Sequence, residues 1–94
     1  MRADYIHSVE KYKDHKVIVI EDLNLGNKSV TNDIENVVKD IEIMEKIEAK
    51  DCLVVYKDSE GTFDGWNAKL ENFVYLGQDN WQSAADTYIN RISA

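Results

Sequence analysis

The sequence predicts a mixed α/β (α+β) domain, in which a four-stranded sheet packs with about three helices in the order αβαβββα. Three features predict this class. Apolar side chains recur every three or four residues over residues 29–48, as in an amphipathic helix. Continuous apolar runs at residues 16–22 and 51–57 are typical of buried strands. Turn-forming residues after the second run indicate a hairpin, and 94 residues suffice for one domain.

The first predicted element is a short helix over residues 2–13. Its apolar side chains fall at helical spacing: Tyr5, Ile6, Val9 and Tyr12. Next, the run KVIVIED at residues 16–22 consists largely of β-branched residues between polar ones. Because this run is continuous rather than alternating, it predicts a central strand that is buried on both faces.

The central predicted helix covers residues 29–48. Its apolar stripe comprises Val30, Ile34, Val37, Ile41 and Met44. Ser29 or Thr31 is the expected N-cap, and Asp33 and Glu35 would lie near the positive end of the helix dipole. The helix is expected to lead to a second strand, and if this strand lies beside the first, strand, helix and strand form a right-handed crossover.

The remaining elements are a hairpin and a final helix. Strands are predicted at residues 62–66 and 73–76, and the last helix begins at Asp79, with Gln82 completing the capping pattern. The buried stripe of this helix is expected to comprise Trp81, Ala84, Ala85, Tyr88 and Ile92. We expect the helices to pack mainly on one face of the sheet.

The net charge of −7 is unevenly distributed along the chain. Residues 1–20 hold four basic and three acidic residues, so residues 21–94 carry −8. A negative field repels nucleic acid and anionic membranes, and it attracts basic protein surfaces. A charge of about this size also serves solubility alone. No apolar run reaches the length of a membrane span and no signal core begins the chain, so we expect a cytoplasmic protein.

No catalytic or metal-binding pattern is found among the soft and imidazole side chains. Cys52, His7 and His15 lack the spacing that a nucleophile or a zinc site requires. Asp58, Glu60 and Asp64 match a calcium loop poorly, and hairpin formation explains them better. We therefore predict a protein that is not an enzyme and has no cofactor, with Cys52 as a structural residue.

Carboxylates of the central helix and of its flanks form the candidate partner-binding surface. They are Asp33, Asp40, Glu45, Glu48, Asp51, Glu21 and Asp22. Carboxylates one helical turn apart lie about 5 to 6 Å from each other, which is close to the repeat of phosphates along a nucleic acid. The alternative is an ordinary solvated face on which Glu35 pairs with Lys39 and Glu42 with Lys46.

Ile43 and Ile47 lie four residues apart and away from the main apolar stripe. Exposing them would stabilise nothing, whereas burial recovers roughly 1.5 to 3 kcal/mol for each. The pair predicts a homodimer interface on the central helix, or cover by the first helix.

Two segments carry a resemblance to known proteins: SVTNDIENVV at residues 29–38 and YKDSEGTFD at residues 56–64. They resemble small uncharacterised proteins encoded by phages and mobile elements. In size, acidity and α/β pattern the chain is also similar to phage anti-restriction proteins of the Arn type, which mimic DNA. This resemblance implies an inhibitor that binds a basic, nucleic-acid-binding defence protein of the host and no nucleic acid itself. The alternative is a small dimeric adaptor whose acidity is incidental.

Overall fold

The computed structural model describes residues 4–24, 30–57 and 60–93. The elements in chain order are β1 (Asp4–Tyr12), β2 (His15–Asn24), α1 (Val30–Glu45), a 3-10 turn (Ala49–Asp51), β3 (Leu53–Lys57), β4 (Phe63–Asn67), β5 (Asn72–Gln78) and α2 (Trp81–Ser93). The mixed class is confirmed. The predicted four strands and three helices are wrong, since the described residues form five strands and two α-helices in the order ββαβββα.

The sheet has the strand order β1-β2-β3-β4-β5. β2 and β3 are parallel, with Val17 opposite Leu53, and every other neighbouring pair is antiparallel. Parallel neighbours need a crossover connection, and α1 supplies it. The predicted strand-helix-strand unit is therefore present.

The predicted first helix is instead the edge strand β1, which returns through a tight turn at Lys13 into β2. Tyr5 packs against the core on one face of the sheet and Tyr12 against the core on the other. Side chains that serve both faces break strict alternation, and their spacing then imitates a helical period. Pairing with β2 decided the strand conformation of these residues, and a local sequence pattern does not reveal such pairing.

Each face of the sheet carries one helix, so the expectation that the helices pack mainly on one face is wrong. Under α1 the core comprises Ile18, Ile20, Ile34, Val37, Val38, Ile41, Ala49, Val54, Tyr56 and Trp66. Under α2 it comprises Val17, Val19, Leu53, Val55, Phe63, Leu76, Ala84, Ala85 and Tyr88. Since the apolar runs of β2 and β3 project to both sides, both faces need a cover.

Helix α1 ends at Glu45, three residues before the predicted end. Lys46 takes a left-handed conformation with φ 55°, and the Ile47 amide donates to the Glu42 carbonyl at 3.2 Å. This is the hydrogen bond of a Schellman motif. The reversal turns Ile47 back against the core under α1.

A bulge in β5 is held by a side chain from β4. Phe63 pairs with Gln78 and Gly65 with Val74, which leaves Asp64 opposite an irregular stretch. Asp64 Oδ1 accepts hydrogen bonds from the amides of Leu76 at 2.8 Å and Gly77 at 3.0 Å. Asp64 therefore has a structural role here, whereas Asp58 lies outside the described residues.

The start of α2 is capped by Asn80 rather than by the predicted Asp79. Asn80 Oδ1 accepts the amide of Ser83 at 2.8 Å. The predicted pairing of Asp79 with Gln82 is therefore wrong by one residue. Asp and Asn are both frequent N-cap residues, so the sequence allows either Asp79 or Asn80. The backbone path into α2 decides in favour of Asn80.

Lys46→Gly should raise the free energy of unfolding by about 0.5 to 1 kcal/mol, because glycine adopts the left-handed conformation without the cost paid by other residues. Urea denaturation measures the change. Lys39→Gly is the matched control, since it removes the same charge from the interior of α1 and should lower stability by about 1 kcal/mol. A loss of stability in both variants would contradict the assigned helix end.

Asp64→Ala should lower the free energy of unfolding by roughly 2 to 4 kcal/mol, because two amides lose a charged acceptor. Asp64→Asn keeps an oxygen at the same place and should cost clearly less. Thermal and urea unfolding of the two variants provide the comparison. Equal losses would mean that the carboxylate acts through its charge and not as the acceptor for the bulge.

Candidate interaction surface

The structure separates the predicted carboxylate set into residues that face solvent and residues that support the fold. Asp40 is exposed on the outer side of α1, and Glu48 and Asp51 are exposed in the connection to β3. None of these three forms an ion pair with any described residue. They are the members of the set that remain available to a partner.

Glu45 is engaged with the neighbouring strand. Its Oε2 lies 3.1 Å from His7 Nε2, a hydrogen bond in the forms of His7 that carry a proton on that nitrogen. The helical period explains the contact, because Glu45 follows Ile41 by one turn and continues the buried stripe beyond the core. It therefore points toward β1 and not outward.

Glu42 also supports the fold. Its Oε2 accepts the amide of Ala49 at 2.8 Å, which holds the connection after α1. The expected ion pair of Glu42 with Lys46 is not formed, since Lys46 lies beyond the last helical turn. Short-range helix pairing thus fails where the helix itself ends.

Glu21 lies on the other side of the sheet from α1. It shares the face of Val17 and Val19, which pack under α2, because alternate residues of a strand share a face. It therefore lies apart from the carboxylates of α1. Asp22 and Asp33 belong to β2 and α1, but their side chains lie outside the described residues.

Two adjacent apolar residues near the end of α1 are exposed to solvent. Ile43 is 76% exposed and Met44 is 54% exposed. Met44 was expected in the buried stripe, and that expectation is wrong, as it is for Ile92 of α2, which is 56% exposed. Both residues lie in the last turns of their helices, where less of the sheet lies beneath the helix.

Ile47 is half-buried against the core and does not share an exposed face with Ile43. The premise of a second apolar helix face therefore applies to Ile43 alone, with Met44 beside it in sequence.

We use the term α1 surface for the exposed set Asp40, Ile43, Met44, Glu48 and Asp51. Residues 30–51 as a whole hold seven acidic residues and three lysines, a net charge of −4.

A shallow groove of about 280 Å³ separates α1 from the β4–β5 hairpin. It is lined by Glu35, Val38, Lys39, Glu42, Lys50, Trp66, Ala68 and Glu71. Its polar lining mixes carboxylates and ammonium groups, and Trp66 at its floor is 2% exposed. Such a lining does not select one ligand class, so we assign no ligand to it.

Cys52 is partly buried and packs against the core under α1. Its thiol donates a weak hydrogen bond to the Glu48 carbonyl, with Sγ and O 3.5 Å apart. Burial raises the pKa of the Cys52 thiol, Lys16 acts in the opposite direction, and the carboxylates of Asp51 and Glu42 add to the increase. The neutral thiol is therefore the form held by the fold at pH 7.

Over residues 4–24, 30–57 and 60–93, no group of three or more His, Cys, Asp or Glu residues is placed to hold a metal ion. In the same part of the chain, no helix is both long and apolar enough to cross a bilayer. Comparison with protein-family models, with curated proteins and with solved structures finds no match to this chain. The chemistry of its own surface is therefore the basis for its functional interpretation.

Cys52 should react several-fold more slowly with a thiol reagent at pH 8 in the native protein than in the urea-unfolded protein. The reason is that the thiolate is the reactive form and burial raises the thiol pKa. Glutathione in the same two buffers controls for the effect of urea on the reagent. A native rate equal to the unfolded rate would show that Cys52 is an accessible, reactive thiol.

Proposed function

We propose that this chain is an interaction protein that binds a basic, nucleic-acid-binding protein through the α1 surface and thereby competes with nucleic acid. In the specific form that the phage resemblance implies, the partner is a restriction-type defence protein and the site of action is the host cytoplasm. The observation that carries the proposal is the exposed apolar pair Ile43 and Met44 among carboxylates that form no ion pair with the described residues.

The carboxylates supply the attraction and the orientation. Complementary charge accelerates encounter and excludes partners of the wrong sign. At physiological ionic strength the Debye length is about 8 Å, so only carboxylates in close contact with the partner still contribute. Asp40, Glu48 and Asp51 lie at the surface and are not neutralised by an ion pair within the described fold, as this mechanism requires.

The apolar pair supplies the part of the affinity that salt does not remove. Burying Ile43 and Met44 would contribute roughly 1.5 to 3 kcal/mol each at full burial. Binding energy concentrates in a few well-buried residues surrounded by contacts that exclude water. Exposed apolar residues together with exposed carboxylates are consistent with a basic protein partner, since a purely solvated helix face would not need the apolar residues.

The second candidate is a small adaptor in which the same apolar pair binds a partner and the acidity is incidental. The dispersal of the carboxylates favours this candidate. Glu21 lies on the opposite face of the sheet, and Glu42 and Glu45 are engaged within the fold. The predicted dimer through Ile43 would be one form of it.

A displacement assay separates the two candidates. Proteins of a bacterial extract are first bound to immobilised DNA, and the pure protein is then added. If the proposal is right, the wild type releases specific DNA-binding proteins. The triple variant Asp40→Asn, Glu48→Gln, Asp51→Asn should release at least about tenfold less at equal concentration, because about 1.4 kcal/mol of lost attraction corresponds to that factor.

The matched control removes three carboxylates elsewhere, through Asp14→Asn, Glu71→Gln and Asp79→Asn, and should release as much as the wild type. No release by the wild type, or equal losses in both triple variants, would contradict a DNA-competing α1 surface. If Ile43→Asp abolishes partner binding whereas the neutralised variant retains it, the adaptor function is the correct one.

A further inference from the structure

The two edges of the sheet differ in how they are protected against pairing with another strand. β5 is interrupted by its bulge and by Gly77 at φ 60°, which disrupts the regular ladder along that edge. β1 runs for nine residues without proline, and the bulge near its start adds its extra residue to β2. β1 therefore keeps a long regular edge, with no neighbouring strand on its outer side among the described residues.

β1 is fixed at two points along its length. His7 meets Glu45 of α1 on one face of the sheet. At the other end, Lys13 Nζ donates to Asp86 Oδ1 of α2 at 2.9 Å, and the Tyr12 hydroxyl donates to the same oxygen at 3.3 Å. The Lys13 ammonium lowers the pKa of the Asp86 carboxyl and so keeps this contact charged. An edge held in this way needs little reordering to accept a partner strand.

The β1 edge carries no net charge. Residues 4–16 contain three acidic and three basic residues, so their net charge is zero, whereas the whole chain carries −7. Two copies of an acidic protein repel each other least where each is neutral. Charge therefore permits contact between copies at this edge, and the bulge in β5 leaves β1 as the regular edge of the two.

We infer that β1 is a self-association surface, where two copies pair their β1 strands antiparallel to form one continuous ten-stranded sheet. Residues directly opposite each other in one sheet have side chains on the same face. The twofold axis must therefore lie between the two copies of one and the same residue. An axis at Ser8 overlaps the full strand and opposes Ile6 to Glu10 and Tyr5 to Lys11 of the other copy. No like charges then meet.

Neighbouring registers are less favourable. An axis at His7 would oppose Asp4 to Glu10 and the two imidazoles to each other. An axis at Val9 would oppose His7 to Lys11. Ile6 is 60% exposed in the single chain, and the Ser8 register lays it against the aliphatic stem of Glu10.

The pairing does not depend on the proposed function, but it has a consequence for it. A twofold axis perpendicular to the sheet keeps both copies of α1 on the same side. The two α1 surfaces would then form a single, doubled acidic face. A partner with an extended basic surface would bind it with both copies engaged.

Sedimentation equilibrium over a concentration series tests the pairing. The wild type should be a dimer, and Ile6→Asp should raise the dimer dissociation constant by about tenfold or more, since two symmetry-related Asp-Glu oppositions replace two apolar contacts. Adding Glu10→Lys to Ile6→Asp should restore the dimer, because each opposition becomes attractive. This reciprocal rescue occurs only if residues 6 and 10 face each other.

Tyr75→Asp on β5 and Ile43→Asp on α1 are the matched controls, because each places an aspartate at an exposed apolar position, and both should remain dimeric. Hydrogen exchange provides a readout without substitution, since β1 amides should become more protected as the wild-type concentration rises. A wild type that stays monomeric at high concentration would overturn the inference. So would a dimer that Ile43→Asp dissociates and Ile6→Asp does not.

Discussion

The parallel pairing of β2 with β3 is the constraint on which the rest of the structure depends. Parallel neighbours need a crossover, which places α1 on one face. Their side chains are buried on both faces, from Val17 and Val19 on one to Ile18 and Ile20 on the other. A second helix must therefore cover the opposite face, and α2 does so after the antiparallel strands β4 and β5 have been added. Antiparallel hairpins then extend the sheet on both sides of this pair.

The turn at the end of α1 determines the chemistry of the candidate surface. Lys46 reverses the chain, so Ile47 returns to the core whereas Ile43 and Met44 stay exposed. The carboxylates of the same region fall into two groups. Glu42 binds the turn after the helix and Glu45 contacts β1, whereas Asp40, Glu48 and Asp51 face solvent. The turn at Lys46 thus separates the half-buried Ile47 from the exposed Ile43 and Met44.

The α1 surface and the β1 edge are two separate features with compatible geometry. The first is acidic and carries exposed apolar side chains, whereas the second is neutral and offers regular backbone hydrogen-bonding groups. A strand added at β1 does not alter the face on which α1 lies. Self-association and partner binding can therefore be tested independently, and each can fail without affecting the other.

The sequence alone determined the α+β class, the two central strands, both helices and the hairpin, because continuous apolar runs and helical periods of ten or more residues report burial directly. The sequence also located the acidic segment that includes α1. Tertiary structure alone decided that residues 4–12 form a strand, since their apolar spacing matched a helical period and only the pairing with β2 makes them a strand. It likewise decided which carboxylates are engaged within the fold, because Glu45 and His7 are distant in sequence and meet only when α1 lies across the sheet. The local sequence pattern indicates which side chains will be buried. The hydrogen-bond or ion-pair partner of each polar side chain depends instead on contacts between residues that are distant in sequence.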